Sequence, residues 1–372
     1  MSVKNQNRRL LATLALLCSI TVADGAEIGV NFNGMLARID QGDLARAKTT
    51  WIRGFVDYYQ FRSGAKNVAT DPGLEALSQA HQAGYKTIIN IKFDFTSKNF
   101  PTTAAQIDTE LNYLDTLLAA LYADCDIIVI GNEPFIESIS SQRGAPLFNF
   151  YTAAAERTKT YKDGQSRKIP LYIGAFNRLW EAGRQTEATP LLQYAEATPW
   201  LAGVDLHIHH SANAEIDNVF AFVNPRIRGD QKILVTEYSL MHHWKAHLND
   251  PIPAQLAAQY GRPAQWKVWE YINYVQDDPV TRPEWVAFLQ NSPWFENRKD
   301  YIANSYAKFA ANAKFNIGAY AMYQGYFPGF NASTDPWILN PLFVNQTVVP
   351  NPSTGLNQTN YSYFDAFRAL QP

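Results

Sequence analysis

Two stretches end an apolar run on a carboxylic acid. IIVIGNEPF (127–135) carries Glu133 beside the amide of Asn132, and ILVTEYSL (233–240) carries Glu237 directly after β-branched residues. Pro134 disfavours helix at Glu133, so the acid is expected at an extended strand tip. Two carboxyls facing each other over a cleft can divide labour, one protonating a leaving group while the other attacks or stabilises. At a glycosidic bond the gap selects the outcome: about 5–5.5 Å for retention and about 6.5–9.5 Å for inversion. A buried salt bridge of both acids with Arg53 is the non-chemical reading.

A second constellation is histidine. His207 and His209 of DLHIHH share one strand face, and His210, His242 and His243 extend the set. H-x-H near a carboxylate such as Glu237 can bind zinc, which makes a metal-dependent barrel hydrolase the alternative reading. Metal-dependent amidohydrolases carry H-x-H on the first strand, whereas here it falls on the sixth, and their further His and Asp ligands have no counterpart. A third reading is a non-catalytic carbohydrate-binding barrel; the presence of both glutamates, Asn132 and Arg53 argues against it.

The elements that must hold these residues recur along the chain. Eight apolar runs, 27–33, 49–58, 86–95, 125–134, 169–177, 201–210, 232–240 and 317–327, alternate with helix-patterned spacers. Near-continuous apolar runs mark strands covered on both faces. The spacer DPGLEALSQAHQAG has a helix start and stop, and AAQIDTELNYLDTLLAALYAD has helical spacing. The pattern predicts a (β/α)8 TIM barrel as one domain over 27–372. An open doubly wound sheet is the alternative, and GVNFNGML lacks its G-x-G-x-x-G. Residues 241–316 are a long insertion after strand seven, with Trp244, Trp266, Trp269, Trp285 and Trp294. RKDYIANSYAKFAANAK within it is expected as the seventh barrel helix and the remainder as a lid or cleft wall, with Trp244 on substrate. Residues 328–359 read as a long loop and YSYFDAFRALQ as the closing helix.

Composition bounds the partners. A net charge of −2 supplies no field for nucleic acid or anionic lipid. Aromatic residues at 13% fit surfaces that stack on flat ligands such as sugar rings. The first 26 residues show Lys4, Arg8 and Arg9, then LLATLALLCSITV and small residues, the pattern of a secretory signal peptide. A secreted protein, extracellular or periplasmic, is therefore expected, with no membrane partner. Cys125 reads as an inert core thiol. Four Asn-x-Ser/Thr sequons crowd 331–362; no pattern specifies an oligomeric state.

Taken together, the chain resembles the large (β/α)8 clan of retaining glycoside hydrolases called clan A, without identifying a family within it. In that clan an Asn-Glu pair ends strand four and a second Glu ends strand seven; here these are Asn132-Glu133 and Glu237, 104 residues apart. The resemblance implies Glu133 as acid/base, its pKa raised by Glu237, and Glu237 as nucleophile with Arg53 of WIRGF beside it. It also implies Asn132 on the neighbouring sugar hydroxyl and His207 in the clan's His-x-Tyr. His209 departs from the usual Tyr. Strand eight often ends in a Trp under the substrate; MYQGYF offers Tyr323, Gln324 or Tyr326. Asn31, Asn33, Asp57, Lys92, Asp94 and Asn177 complete the expected rim. The implied substrate is a β-linked poly- or oligosaccharide, and the chemistry needs no cofactor and no metal.

Overall fold

A computed structural model describes residues 26–372; the expected leader, 1–26, lies outside them except for its last residue. The strands are β1 (Glu27–Asn31), β2 (Trp51–Asp57), β3 (Lys86–Lys92), β4 (Ile127–Ile130), β5 (Leu171–Asn177), β6 (Leu201–His209), β7 (Lys232–Ser239) and β8 (Phe315–Ala321). All pair in parallel and in chain order, and β8 closes on β1 from Glu27↔Ile317 to Asn31↔Ala321. The fold is a closed (β/α)8 barrel, and the open-sheet alternative falls with that closure.

Both faces of each strand are buried, which is why the runs lack polar alternation. Trp51, Ile88, Ile127, Val129, Tyr172, Leu234 and Ile317 pack together as one cluster, as expected for side chains filling a barrel interior. A far larger apolar cluster joins the strands to the helices. Helix Pro72–Gln82 starts where Asp71 accepts from the backbone of Gly73 and Leu74, and Ala104–Leu121 starts at a Thr103/Gln106 capping box. Among the described residues no helix is long and apolar enough to cross a membrane. Cys125 is a buried, free thiol.

The ends of β4 and β8 differ from expectation. β4 stops at Ile130 because Gly131 turns with φ 107°, and a Cβ there would meet the Tyr151 ring at 2.5 Å. The backbone then changes neighbours: Gly131 N–H still bonds Ile91 of β3, whereas Glu133 N–H bonds Ala175 of β5. Glu133 takes φ 40°, a left-handed conformation rather than the extended one Pro134 suggested. β8 ends at Ala321, so MYQGYF lies beyond the strand.

The insertion folds into short helices, with Tyr301–Ala310 inside the segment expected to be helical. Residues 328–359 are irregular apart from the turn Trp337–Leu339, and Tyr363–Ala369 closes the chain as expected. Gln324 fastens that irregular segment. Its amide donates to the Ile338 carbonyl at 2.7 Å and accepts from the N–H groups of Gln346 and Thr347.

Candidate active site

The site is assembled around Arg53, whose side chain is wholly buried on β2. A guanidinium has five donors and no acceptor, so burial demands a shell of oxygens. Nε donates to Asn90 on β3 at 3.0 Å and Nη1 to Asn31 on β1 at 3.0 Å. Nη1 also meets Glu237 Oε1 on β7 at 2.5 Å, and Nη2 donates to Asn132 after β4 at 2.7 Å. Asn33 lies at the edge of this shell, 3.5 Å from Nη1, and its side chain accepts from Asn31. Beneath it, Asp205 on β6 accepts from Asn90 and from Thr236. One buried cation thus ties β1, β3, β7 and the segment after β4 to one another.

Glu237 therefore faces the cleft as an anion. Burial alone would raise its pKa, but His207, Arg53 and His209 outweigh that and hold it well below the usual carboxylate range. Glu133 is placed differently: its Oε1 accepts from Asn177 Nδ2 on β5 at 2.6 Å and lies 2.9 Å from His207 Nδ1. His207 Nε2 is 3.3 Å from Arg53 Nη2. Nε2 also lies 3.1 Å from Thr236 Oγ1; burial alone would lower the His207 pKa, but Glu237 and Glu133 outweigh it and raise it. One oxygen from each glutamate lies within 4.8 Å of the other.

His209 stands between the two acids. Its Nδ1 is 2.9 Å from Ser239 Oγ, and its Nε2 is 3.7 Å from Glu133 and 3.6 Å from Glu237. That Nε2 is buried and has no hydrogen-bond partner. The edge of Trp337 packs against the His209 ring at 4.7 Å. The cleft has a volume of about 300 Å³, with Asn33, Phe55, Tyr323, Phe327, Trp337 and Asn340 among the residues that line it around the acids.

Several expected residues lie elsewhere. Trp244 is fully buried, packed against Tyr363, and does not line the cleft. The insertion after β7 supplies no lining residue; Trp285 is buried too, and the wall comes instead from the segment after β8. Of the strand-eight candidates, Gln324 is the buried fastener described above. Tyr323 lines the cleft with its hydroxyl on Asp43, and Tyr326 is exposed with its hydroxyl on Asp277. Asp57 caps the helix Tyr58–Arg62, and Asp94 bonds Thr96. The histidines separate as well: only His207 and His209 join the glutamates, while His210 bonds the Ile208 carbonyl and His243 that of Trp294.

The sequence reading missed Trp337 and Glu137. The first sits in a polar, irregular stretch without periodicity. The second had a local signal, a further acid four residues after Glu133. Glu137 accepts from Asn132 Nδ2 at 2.8 Å and pairs with Lys92 at 3.0 Å. Burial, with Glu133 nearby, pushes its pKa up to about 8 against the pull of Lys92.

A raised acid favours the fold at low pH. Its contribution is complete below the unfolded value, falls as pH rises, and is lost through pH 8 at roughly 1 kcal/mol per pH unit. Wild type is expected to lose unfolding free energy between pH 5 and 8 more steeply than Glu137→Gln. Urea melts at unit pH steps check this; equal slopes would remove Glu137 as the cause.

The sequence matches no protein-family model and no curated protein. Solved structures do match. A family 39 glycoside hydrolase from Bacteroides cellulosilyticus WH2 superposes with TM-score 0.53 at 11% identity, over 93% of this chain and 63% of that one, so the chain spans less than two thirds of that protein. An endo-1,4-beta-xylanase from Caldicellulosiruptor owensensis gives 0.55 at 10%, over 92% and 96%. The endo-beta1,6-glucanase BT3312 gives 0.50 at 13%, over 93% and 76%. At such identities the likeness is one of fold: the chain has the (β/α)8 barrel on which these glycoside hydrolases are built.

Proposed function

We propose that the protein is a glycoside hydrolase cleaving β-linked poly- or oligosaccharides by a retaining double displacement, with Glu237 as nucleophile and Glu133 as acid/base. The observation that carries this is the pair of carboxylates at the tips of β4 and β7, with oxygens within 4.8 Å across a lined cleft. That spacing falls at the retaining end of the known range, about 5–5.5 Å, and leaves no room for a water between a base carboxylate and the sugar. The xylanase and the glucanase that share the fold are both named for β-linked glycans.

The two acids are differentiated by their neighbours. Arg53 keeps Glu237 charged and aimed, so Glu237 attacks the anomeric carbon while Glu133 donates its proton to the leaving oxygen. In the second half Glu133 takes a proton from water, which attacks the same carbon and releases Glu237. Asn177 and His207 hold Glu133 in place through both halves. Asn132 stands beside the reacting centre, where a bond to the adjacent sugar hydroxyl tightens in the transition state. The leader supports secretion, to the periplasm or beyond.

The test is product release from β-glucans, xylans, mannans and galactans, with the first-formed anomer read by NMR. Retained configuration is expected; an inverted product would remove Glu237 as nucleophile. Glu133→Gln is expected to lose about 10²–10⁴ in kcat/KM on natural glycans. On aryl glycosides with acidic leaving groups the loss in kcat/KM, which reports the first half alone, should be much smaller, since those need no proton. An equal loss on both substrates would take the acid role from Glu133.

A further inference from the structure

The four side chains that bracket the cleft also form a donor set for a metal. Glu133, His207, His209 and Glu237 each offer one ligand atom, and all four atoms lie within 4.8 Å of one another. A tetrahedral ion with bonds of about 2.0–2.2 Å separates its ligands by about 3.3–3.6 Å. The two spacings around His209 Nε2, 3.7 Å to Glu133 Oε1 and 3.6 Å to Glu237 Oε2, are already close to that.

The orphaned nitrogen is the second, independent observation. His209 Nε2 is buried and unpartnered, and an unpartnered buried polar atom is rare because it costs free energy. The ring is held for ligation from behind. Ser239 fixes Nδ1 and Trp337 packs on its face, and such outer contacts orient metal-binding histidines.

Charge and donor type select the ion. Two carboxylates with Arg53 alongside leave one net negative charge, enough to attract a dication yet opposed by the guanidinium. Arg53 occupies Glu237 Oε1, whereas the oxygen facing His209 is Oε2. Two imidazoles and two carboxylates suit Zn²⁺ and Co²⁺, while Mg²⁺ and Ca²⁺ prefer all-oxygen shells. A cation there would hold both acids at once and fill the space a glycosidic oxygen must enter.

We propose that Glu133, His207, His209 and Glu237 bind one divalent transition-metal ion of the Zn²⁺ class, and that the bound ion switches the hydrolase off. The second half rests on the proposed function; the binding half does not. The site thus has two exclusive occupants, a glycan or an ion.

Isothermal titration of the full chain with Zn²⁺ tests binding without any substrate, and Co²⁺ adds a visible ligand-field band that reports tetrahedral geometry. Wild type is expected to bind one ion per chain. His209→Gln and Glu237→Gln, with wild-type circular dichroism, should each weaken binding by at least about tenfold. Hydrolysis should fall as Zn²⁺ rises, recover with a chelator, and ignore Mg²⁺. Absence of saturable binding, or binding untouched by both variants, overturns the site. Activity lost to a chelator alone overturns the inhibitory role and makes the ion a requirement. Zn²⁺ binding with no hydrolysis of any glycan supports the site and instead counts against the proposed function.

Discussion

Glu237→Gln is expected to leave a folded protein that has lost on the order of 10⁴-fold or more in kcat, because the amide cannot form or release a glycosyl ester. The fold should survive, since the Gln oxygen still accepts from Arg53 while Asn31, Asn90 and Asn132 keep their own bonds to it. The wild-type enzyme should form a covalent adduct with a 2-fluoro glycoside, whose electron-poor ring slows release of the ester. Peptide mass spectrometry should place the adduct on Glu237. A residual rate within tenfold of wild type, or an adduct on another residue, would take the nucleophile role from Glu237. The effect is large because Glu237 forms and breaks a bond. Groups that only orient, such as Asn177, act through Glu133 and should cost less.

Arg53→Met is expected to cost about 3–5 kcal/mol of stability, the scale for removing one partner of a buried ion pair. The methionine fills much of the same volume. It leaves Glu237 without the guanidinium and the carboxamide oxygens of Asn90 and Asn132 without the donor that now satisfies them, while that of Asn31 keeps only the Asn33 N–H. At roughly 2–4 °C per kcal/mol for chains of a few hundred residues, the melting temperature should fall by about 10 °C. Activity should fall as well, because Glu237 loses one of the charges that hold it ionised and the bond that aims it. Arg53→Lys should recover only part of both, since an ammonium can reach Glu237 but cannot fork to the asparagines. A melting temperature for Arg53→Met within about 2 °C of wild type would show that the cluster is held by something other than this cation.

These two expectations come from different levels of the molecule. Glu237 was legible from its place at the end of ILVTEYSL, since a charged residue closing an apolar run is locally conspicuous. That Arg53 lies beside it was an expectation from the clan resemblance. That it gathers three asparagines, on β1, on β3 and just after β4, was not legible, because those contacts span 22, 37 and 79 residues. Gly131 shows the same limit at short range: its left-handed turn moves the backbone of Glu133 from one neighbour strand to the next.

By itself the sequence determined the eight-strand barrel, because burial on both faces writes itself into consecutive residues as unbroken apolar runs. It also determined that Glu133 and Glu237 stand at strand ends, since each closes such a run, and that His207 and His209 share one face of the sixth strand. Only the tertiary structure decided the walls and the company these residues keep. Trp244 is as aromatic in the sequence as Trp337, yet the first packs in the core and the second against His209. Gln324 fastens a loop rather than meeting substrate, and Glu137, one more acid in NEPFIES, becomes a buried acid with its pKa up near 8. Composition records that a residue can stack, accept or ionise. What it does depends on which distant segments exclude water around it, and that is settled when the barrel closes.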